Sequence, residues 1–428
     1  MKFLKYKDSN SDFSPLFNRT AFPEDIERSV AKMLSEIRQR GDEAVIEYAA
    51  QYDSLNLTPE TLKVTQEEID NAENLIEEDI KKAIQLAHNN ISDFSKQCLP
   101  EDWSYNPRPG VTLGEKFTPL KRIACYIPGG TAPLVSTVLH TATMAQAAGV
   151  EEIVITTKGA EDGSVNPAIL YAAKVCGATE VYKMGGVYAV GALAFGTNSI
   201  PKVDKIVGPG NAYVTAAKKQ VYGYTALDLV AGPSEVMVIA DKSAPPEFIA
   251  ADLLSQAEHG SGFEQAVLVS DSAEILKQVE EEVLKQKELL SRAECIDKVV
   301  ESGIFLIEVA DMEEAAEVAT SYAAEHLEIM TENPEAVAAN VHAAGAIFLG
   351  PWTPEPLGDF VAGPSHVLPT GGSAHYFNGL TVGQFFRRTS LVKYDKDALS
   401  KEVDAMSAFA KAEGLDAHGR SGTIRFDK

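Results

Sequence analysis

From Arg122 onward the chain alternates short apolar runs with helix-patterned stretches, and that rhythm restricts the fold more than any other feature. RIACYIP is followed by VSTVLHTATMAQAAG, EEIVITTKG by PAILYAAKVCG, TEVYKMGG by VYAVGALAFG, and KIVGPG by NAYVTAAKKQVYG. ALDLV and EVMVIAD are two further strands, separated by AGPS. Strands and helices alternating at this spacing make βαβ units and a mostly parallel sheet covered on both faces. Residues 122–241 read as one such domain. The alternation continues with a helix over 246–259, the strand EQAVLVSD, a helix over 272–291, the strand GIFLIEVAD, a helix over 313–330 and the strand AGAIFLGP. This second block reads as another parallel sheet, covered by helices expected at 22–52 and 66–95. Residues 22–121 and 242–375 then form a discontinuous α/β domain into which 122–241 is inserted. Residues 1–21 read as a polar N-terminal arm and 98–119 as a Pro- and Gly-rich connector. Residues 376–428 read as a helical C-terminal arm that must dock elsewhere.

At 428 residues the chain is long enough for more than one core, and 45% hydrophobic with 23% charged content is that of a soluble globular protein. No apolar run reaches the roughly 18 residues of a membrane span. MKFLKYKDSNSDF has no apolar signal core, so a cytoplasmic protein is expected. Cys98, Cys125, Cys176 and Cys295 are scattered without a CxxC pair, which argues against a disulfide framework and a thiolate zinc site. A formal net charge of −24 argues against a nucleic-acid binder.

Gln256 and His259 lie three apart in ADLLSQAEHGS, so on a helix they share one face. An imidazole is a common zinc ligand, and an amide oxygen can join it. Further ligands must come from far along the chain, and Asp359 and His418 are the candidates. Alone, Asp359 is an ordinary turn residue after Gly358 and His418 an ordinary tail histidine. His88, His140, His342, His366 and His375 are also present, and composition does not choose among them. Glu325 and His326, in SYAAEHLEIM, read as adjacent helical positions about 100° apart. Their apolar flanks suit a desolvated acid–base pair. Three glycine-rich turns, Gly129-Gly130, Gly185-Gly186 and Gly208-Pro209-Gly210, fall at carboxyl ends of expected strands, each before a helix. Singly these are tight βα connections; together they also suit a nucleotide, although no GxGxxG is present.

CYIPGG, STVLHTAT, GALAFGT, PKVDKIVGPGNAYVTAAKKQV, DLVAGPSEVMVIAD, ADLLSQAEHG, EHLEIM, GDFVAGPSHVLPTGG and EGLDAHGR, in this order over nearly the whole chain, resemble the histidinol dehydrogenases. The resemblance implies two incomplete Rossmann-type domains with small terminal domains, in an intertwined homodimer with a shared active site. It implies one zinc per subunit and two equivalents of NAD, used to oxidise L-histidinol to L-histidine through the aldehyde. Matched residue by residue, it implies zinc ligands Gln256, His259, Asp359 and His418 and a catalytic pair Glu325 and His326. The implied substrate contacts are Ser234, Gln256, His259, His326, Asp359, Glu413 and His418. NAD contacts are implied for Tyr126 and Asn211, with Tyr188 standing where the family has a glutamine. In that family the counterparts of Glu413 and His418 come from the second subunit. This chain departs from the pattern at GGVYAVGALA, at Ser365 in place of an asparagine, and at HGSGFEQ. Other readings of the same residues are a dehydrogenase of another amino or sulfo alcohol, a zinc hydrolase on this scaffold, and a non-catalytic nucleotide-binding subunit.

Overall fold

Arg122–Ile127 is buried at every one of its positions, as a central parallel strand flanked by helices on both faces must be. The computed structural model describes residues 1–19, 24–129 and 133–427, so Pro23 and Gly130 lie outside the described residues. Arg122–Ile127 sits in the middle of a five-stranded parallel sheet. The order across it is Glu180–Lys183, Glu152–Thr157, Arg122–Ile127, Lys205–Val207 and Ala226–Leu227. By rank in the chain this is 3-2-1-4-5, the doubly wound order.

The helices Glu24–Arg40 and Asp42–Asp53 cover this sheet, and not the second one as the sequence suggested. Val30, Leu34, Ile37, Val45 and Ala49 share one core with Ala124, Val154, Val190 and Leu193. Val30, Met33, Leu34 and Ile37 form a stripe at helical spacing. The facing helix, Gly186–Phe195, admits that stripe through Gly191, where a Cβ would lie 2.8 Å from Ile37 Cδ1 and 3.0 Å from Leu34 Cδ2.

The second sheet has six parallel strands in the order Lys2–Lys5, Ile304–Glu308, Gln265–Ser270, Glu235–Ala240, His326–Met330 and Ala346–Leu349. Apart from its first strand it repeats the 3-2-1-4-5 order. Three expectations are corrected here. Glu235–Ala240 opens this sheet rather than closing the other, so the inserted block ends before it. The expected N-terminal arm holds an edge strand, disguised by lysines that flank Phe3 and Leu4. The helix expected over 313–330 is Met312–Tyr322, closed by the left-handed Ala323 at φ 52° and followed by a strand. AAEHLEIM is rich in helix formers, but all five residues of His326–Met330 are buried between neighbouring strands, and that burial overrides propensity. A smaller revision concerns Pro246–Ala257, which ends two residues short of the expected helix.

A separate smaller unit combines Leu99–Pro119 with Phe385–Lys428. The expected connector supplies two antiparallel strands, Trp103–Arg108 and Val111–Pro119, and the expected helix around FFRRTS is a third, Phe386–Tyr394. Helices Lys396–Ser400, Val403–Glu413 and Asp416–Thr423 follow. This unit is too small to hide its apolar residues: Trp103, Tyr105, Val392 and Phe409 all stand exposed.

Candidate active site

His326 opens a central strand at the amino edge of the six-stranded sheet, where side chains two apart share a face. His326, Glu328 and Met330 therefore point together, and Met330 packs in the core formed with Pro246–Ala257. The His326 ring is buried and its Nδ1 lies 3.1 Å from the main-chain oxygen of Glu235. A carbonyl only accepts, so Nδ1 carries the proton and Nε2 keeps a lone pair. That Nε2 has no hydrogen-bond partner; Glu355 Oε1 lies 3.6 Å away and Asp359 Oδ1 3.7 Å. Burial pushes the imidazole down to about 4, against the pull of Asp359, so the ring is a neutral proton acceptor at physiological pH.

Glu325 precedes this strand and is equally buried. Its Oε2 accepts the main-chain N–H of Glu235 at 3.0 Å and lies 3.8 Å from His326 Nδ1. Burial, with the nearby charges of Asp359, Glu235 and Glu355, raises its carboxyl well above the ordinary range. The pair is thus desolvated, as expected, but it sits at a strand start and both members lean on the backbone of one residue, Glu235.

The short helix Glu355–Phe360 lies over this edge. Glu355 and Asp359 are four apart and share its inner face. Burial and the neighbouring Asp359 push Glu355 up to about 9. Asp359 moves the other way: burial would raise it, but His366, His326 and His259 together hold it below the usual carboxylate value. His366 donates Nδ1–H to the Asp359 carbonyl at 3.0 Å and stacks on His140, with ring centroids 4.5 Å apart.

Further along that face Glu328 and Asp252 form a buried carboxyl pair, with Glu328 raised well above its ordinary value and Asp252 pushed up to about 6, both chiefly by burial. Because the folded pKa of Asp252 lies above the unfolded one, protonation favours the fold. That support is full below about pH 4 and is lost as the pH rises through about 6. Asp252→Asn is therefore expected to stabilise the protein by about 2 kcal/mol near pH 8 and to change little near pH 4, read from urea denaturation at both values.

Gln256, in the last turn of Pro246–Ala257, is wholly buried and its Oε1 has no hydrogen-bond partner. Its Nε2 lies 3.1 Å from Nδ1 of His259, which occupies the turn just beyond the helix and is exposed. A buried amide oxygen without a donor is costly unless something electropositive meets it. Gln256, His259 and Asp359 carry oxygen and nitrogen donors of the kind zinc accepts. Donor atoms of His326, Glu355 and Asp359 also lie within 4.8 Å of one another. Ser234 immediately precedes Glu235 at the same edge. Glu413 and His418 belong to the smaller unit, where they end one helix and lie in the next, both exposed.

Tyr126, Tyr188 and Asn211 fall at the carboxyl edge of the five-stranded sheet. Tyr126 Oη accepts the N–H of Gly186 at 3.0 Å. Asn211 caps Ala212–Val221, its side-chain oxygen accepting from Tyr213 and Val214 at 3.1 Å each. Tyr188 is turned into the core, 1% exposed, and its hydroxyl donates to Asp53, which also pairs with Lys158 at 3.2 Å. The Gly208 turn is tight: φ is +113° and a Cβ would sit 2.3 Å from the Tyr126 carbonyl oxygen. Its carbonyl accepts from Lys218 Nζ at 2.7 Å and its N–H donates to Asp228 at 2.6 Å, with the two side chains paired at 2.5 Å and buried. Lys218→Met would strand the Asp228 charge, and a loss of about 3–5 kcal/mol in urea denaturation is expected.

Glu355, His366 and Glu235 were not singled out by the sequence reading. For Glu355 a signal existed, its place four residues before Asp359. The others lie at the site only because of tertiary folding.

Two doubly wound lobes and a desolvated imidazole–carboxyl cluster define an α/β protein with a buried group of titratable side chains. The profile of the histidinol dehydrogenase family matches residues 18–426. The chain belongs to that family and is an oxidoreductase of its type. Histidinol dehydrogenase of Heliobacterium mobile is 42% identical over 428 residues, covering all of both chains. That of Lactococcus lactis subsp. lactis is 41% identical over 430 residues, again covering all of both. The crystal structure of histidinol dehydrogenase from Elizabethkingia anophelis has a TM-score of 0.92 at 36% identity, over 100% of this chain and 98% of that one.

Proposed function

We propose that the protein carries out the zinc-dependent, NAD-linked, four-electron oxidation of L-histidinol to L-histidine through histidinaldehyde, the closing step of histidine biosynthesis. The observation that carries this reading is His326: a neutral, buried imidazole whose Nδ1–H is held by a carbonyl, leaving Nε2 free to accept a proton. In the alcohol step Nε2 takes the hydroxyl proton; NAD, when bound, would supply the hydride acceptor. The aldehyde must gain water before a second hydride can leave. Glu325, 3.8 Å from the ring, is the group to take that water's proton, and its raised affinity for protons makes it the stronger base once ionised.

Gln256, His259 and Asp359, with His418, would hold zinc, and the orphaned Gln256 oxygen supports that donor set. When bound, zinc supplies a Lewis-acidic anchor for the substrate's nitrogen atoms. Ser234 lies where it can contact the substrate, and Glu413 can accept from the imidazole N–H and fix its tautomer. Tyr126 and Asn211 are the proposed coenzyme contacts. A homodimer in which a second copy supplies Glu413 and His418 accords with the exposed apolar residues of the smaller unit. No helix among the described residues is long and apolar enough to cross a membrane, and action on a small molecule in the cytoplasm is the reading adopted.

The test is the NADH yield per histidinol consumed, with zinc-loaded protein and excess NAD. Two equivalents with histidine as product are expected. One equivalent with released aldehyde would limit the enzyme to the first half-reaction, and none would overturn the reading in favour of a hydrolase.

A further inference from the structure

Both members of the acid–base pair are held by the main chain of Glu235, so whatever fixes that residue fixes them. Its N–H donates to Glu325 and its carbonyl accepts from His326. The Glu235 side chain points the other way and is buried. Both its carboxylate oxygens accept from Arg19 Nη1, at 2.8 and 2.9 Å, and Oε1 also accepts the N–H of Gly371 at 3.0 Å. Arg19 Nη2 donates to the main-chain oxygen of Tyr322 at 2.7 Å, and the guanidinium lies 4.0 Å from the centroid of that tyrosine's ring. Tyr322 is the last residue of its helix, and three residues later the chain reaches Glu325. Its hydroxyl is tied in turn to Gln265 at 2.7 Å. The guanidinium fits closely: a Cβ on Gly372 would come 2.9 Å from Nη2.

We infer that Arg19 and Glu235 form a positioning clamp for the acid–base pair. One planar cation joins the start of the strand Glu235–Ala240 to the segment that delivers Glu325 and His326. It thereby sets the distances at which the Glu235 backbone holds both groups. Neither residue needs to touch the substrate. The inference rests on the reading of Glu325 and His326 as the acid–base pair and adds two residues that reading does not include. A fork-shaped guanidinium can bond Glu235 and the Tyr322 carbonyl together while stacking; a lysine ammonium keeps the charge but loses the planar fork.

The experiment compares full-length, zinc-loaded wild type with Arg19→Lys, the Arg19→Met/Glu235→Met double variant, His326→Asn, and Arg19→Lys combined with His326→Asn. Arg19→Lys is expected to lower kcat by about 10- to 100-fold, because misplacing a reacting group by on the order of 1 Å costs that much. KM for histidinol and NAD should stay within about 2-fold and zinc content should be unchanged, since binding does not pass through the clamp. The double variant leaves no buried charge unpaired, so it keeps a folded protein available if Arg19→Lys proves unstable, and it should show the same kcat loss. In the His326→Asn background the effect of Arg19→Lys should shrink to less than about 2-fold, because a group that acts through His326 has little left to position. Wild-type kcat in a folded clamp variant would overturn the inference, as would kcat, KM and zinc content failing together or full additivity with His326→Asn. If His326→Asn itself kept wild-type kcat, the acid–base reading would fall first, a result separable from failure of the clamp alone.

Discussion

Replacing His326 with Asn is expected to lower kcat by about 100- to 10,000-fold while leaving the fold in place. An asparagine amide can still donate to the Glu235 carbonyl, so the bond that holds Nδ1 has a substitute. The lone pair of Nε2 has none, and proton acceptance at that point disappears. Because His326 is neutral at physiological pH, the substitution removes no buried charge. Stability should therefore fall by no more than about 1–3 kcal/mol, the usual range for a buried substitution. Steady-state NADH formation and urea denaturation of the same preparation separate the two effects. A folded variant within about tenfold of wild-type kcat would remove His326 from the chemistry.

The second large effect concerns the metal. His259→Asn is expected to reduce bound zinc from about one per chain to a small fraction and activity by more than about 100-fold, since it deletes one of few ligands. The readout need not depend on catalysis. A metal that binds only the native state raises its stability by mass action, so a chelator should lower the melting temperature of the wild type and leave that of His259→Asn unchanged. The wild type should be the more sensitive because it alone has bound metal to lose, and removing that metal leaves Gln256 Oε1 a buried acceptor without a donor. Equal zinc content in the two proteins would instead favour the compact donor set of His326, Glu355 and Asp359.

The parallel sheets were legible because buried strands such as RIACYI read as continuous apolar runs that no amphipathic surface element imitates. Which sheet a strand joins was not legible. Glu235–Ala240 is chemically indistinguishable from the strands before it, and its allegiance is set by pairing with Gln265–Ser270 and His326–Met330. Glu325 and His326 were readable as a desolvated pair but not as geometry, since AAEHLEIM satisfies helix propensity while its tertiary surroundings make His326–Met330 a strand. Gln256 and His259 were readable because three residues of chain bring them together. Arg19 was invisible: it meets Glu235 across 216 residues, from a segment whose polarity resembles a solvated arm. The same distance effect hid the strands of the smaller unit, where Val111–Pro119 pairs with Phe386–Tyr394 from far along the chain.

The strand Lys2–Lys5 has a bearing on biosynthesis. Its ladder partner is Ile304–Glu308, so a nascent chain carries this segment unpaired until some three hundred further residues have left the ribosome. Arg19 waits for Glu235 and Tyr322 in the same way. The five-stranded sheet, by contrast, draws its strands from a continuous stretch, Arg122–Ile127 through Ala226–Leu227, and can close while synthesis continues. Long-range parallel pairing is slow and leaves strand edges open in the interval. The lobe that holds Glu325 and His326 thus closes after the five-stranded sheet, and conditions that slow its closure, such as low temperature, should yield soluble protein less efficiently than they yield chain.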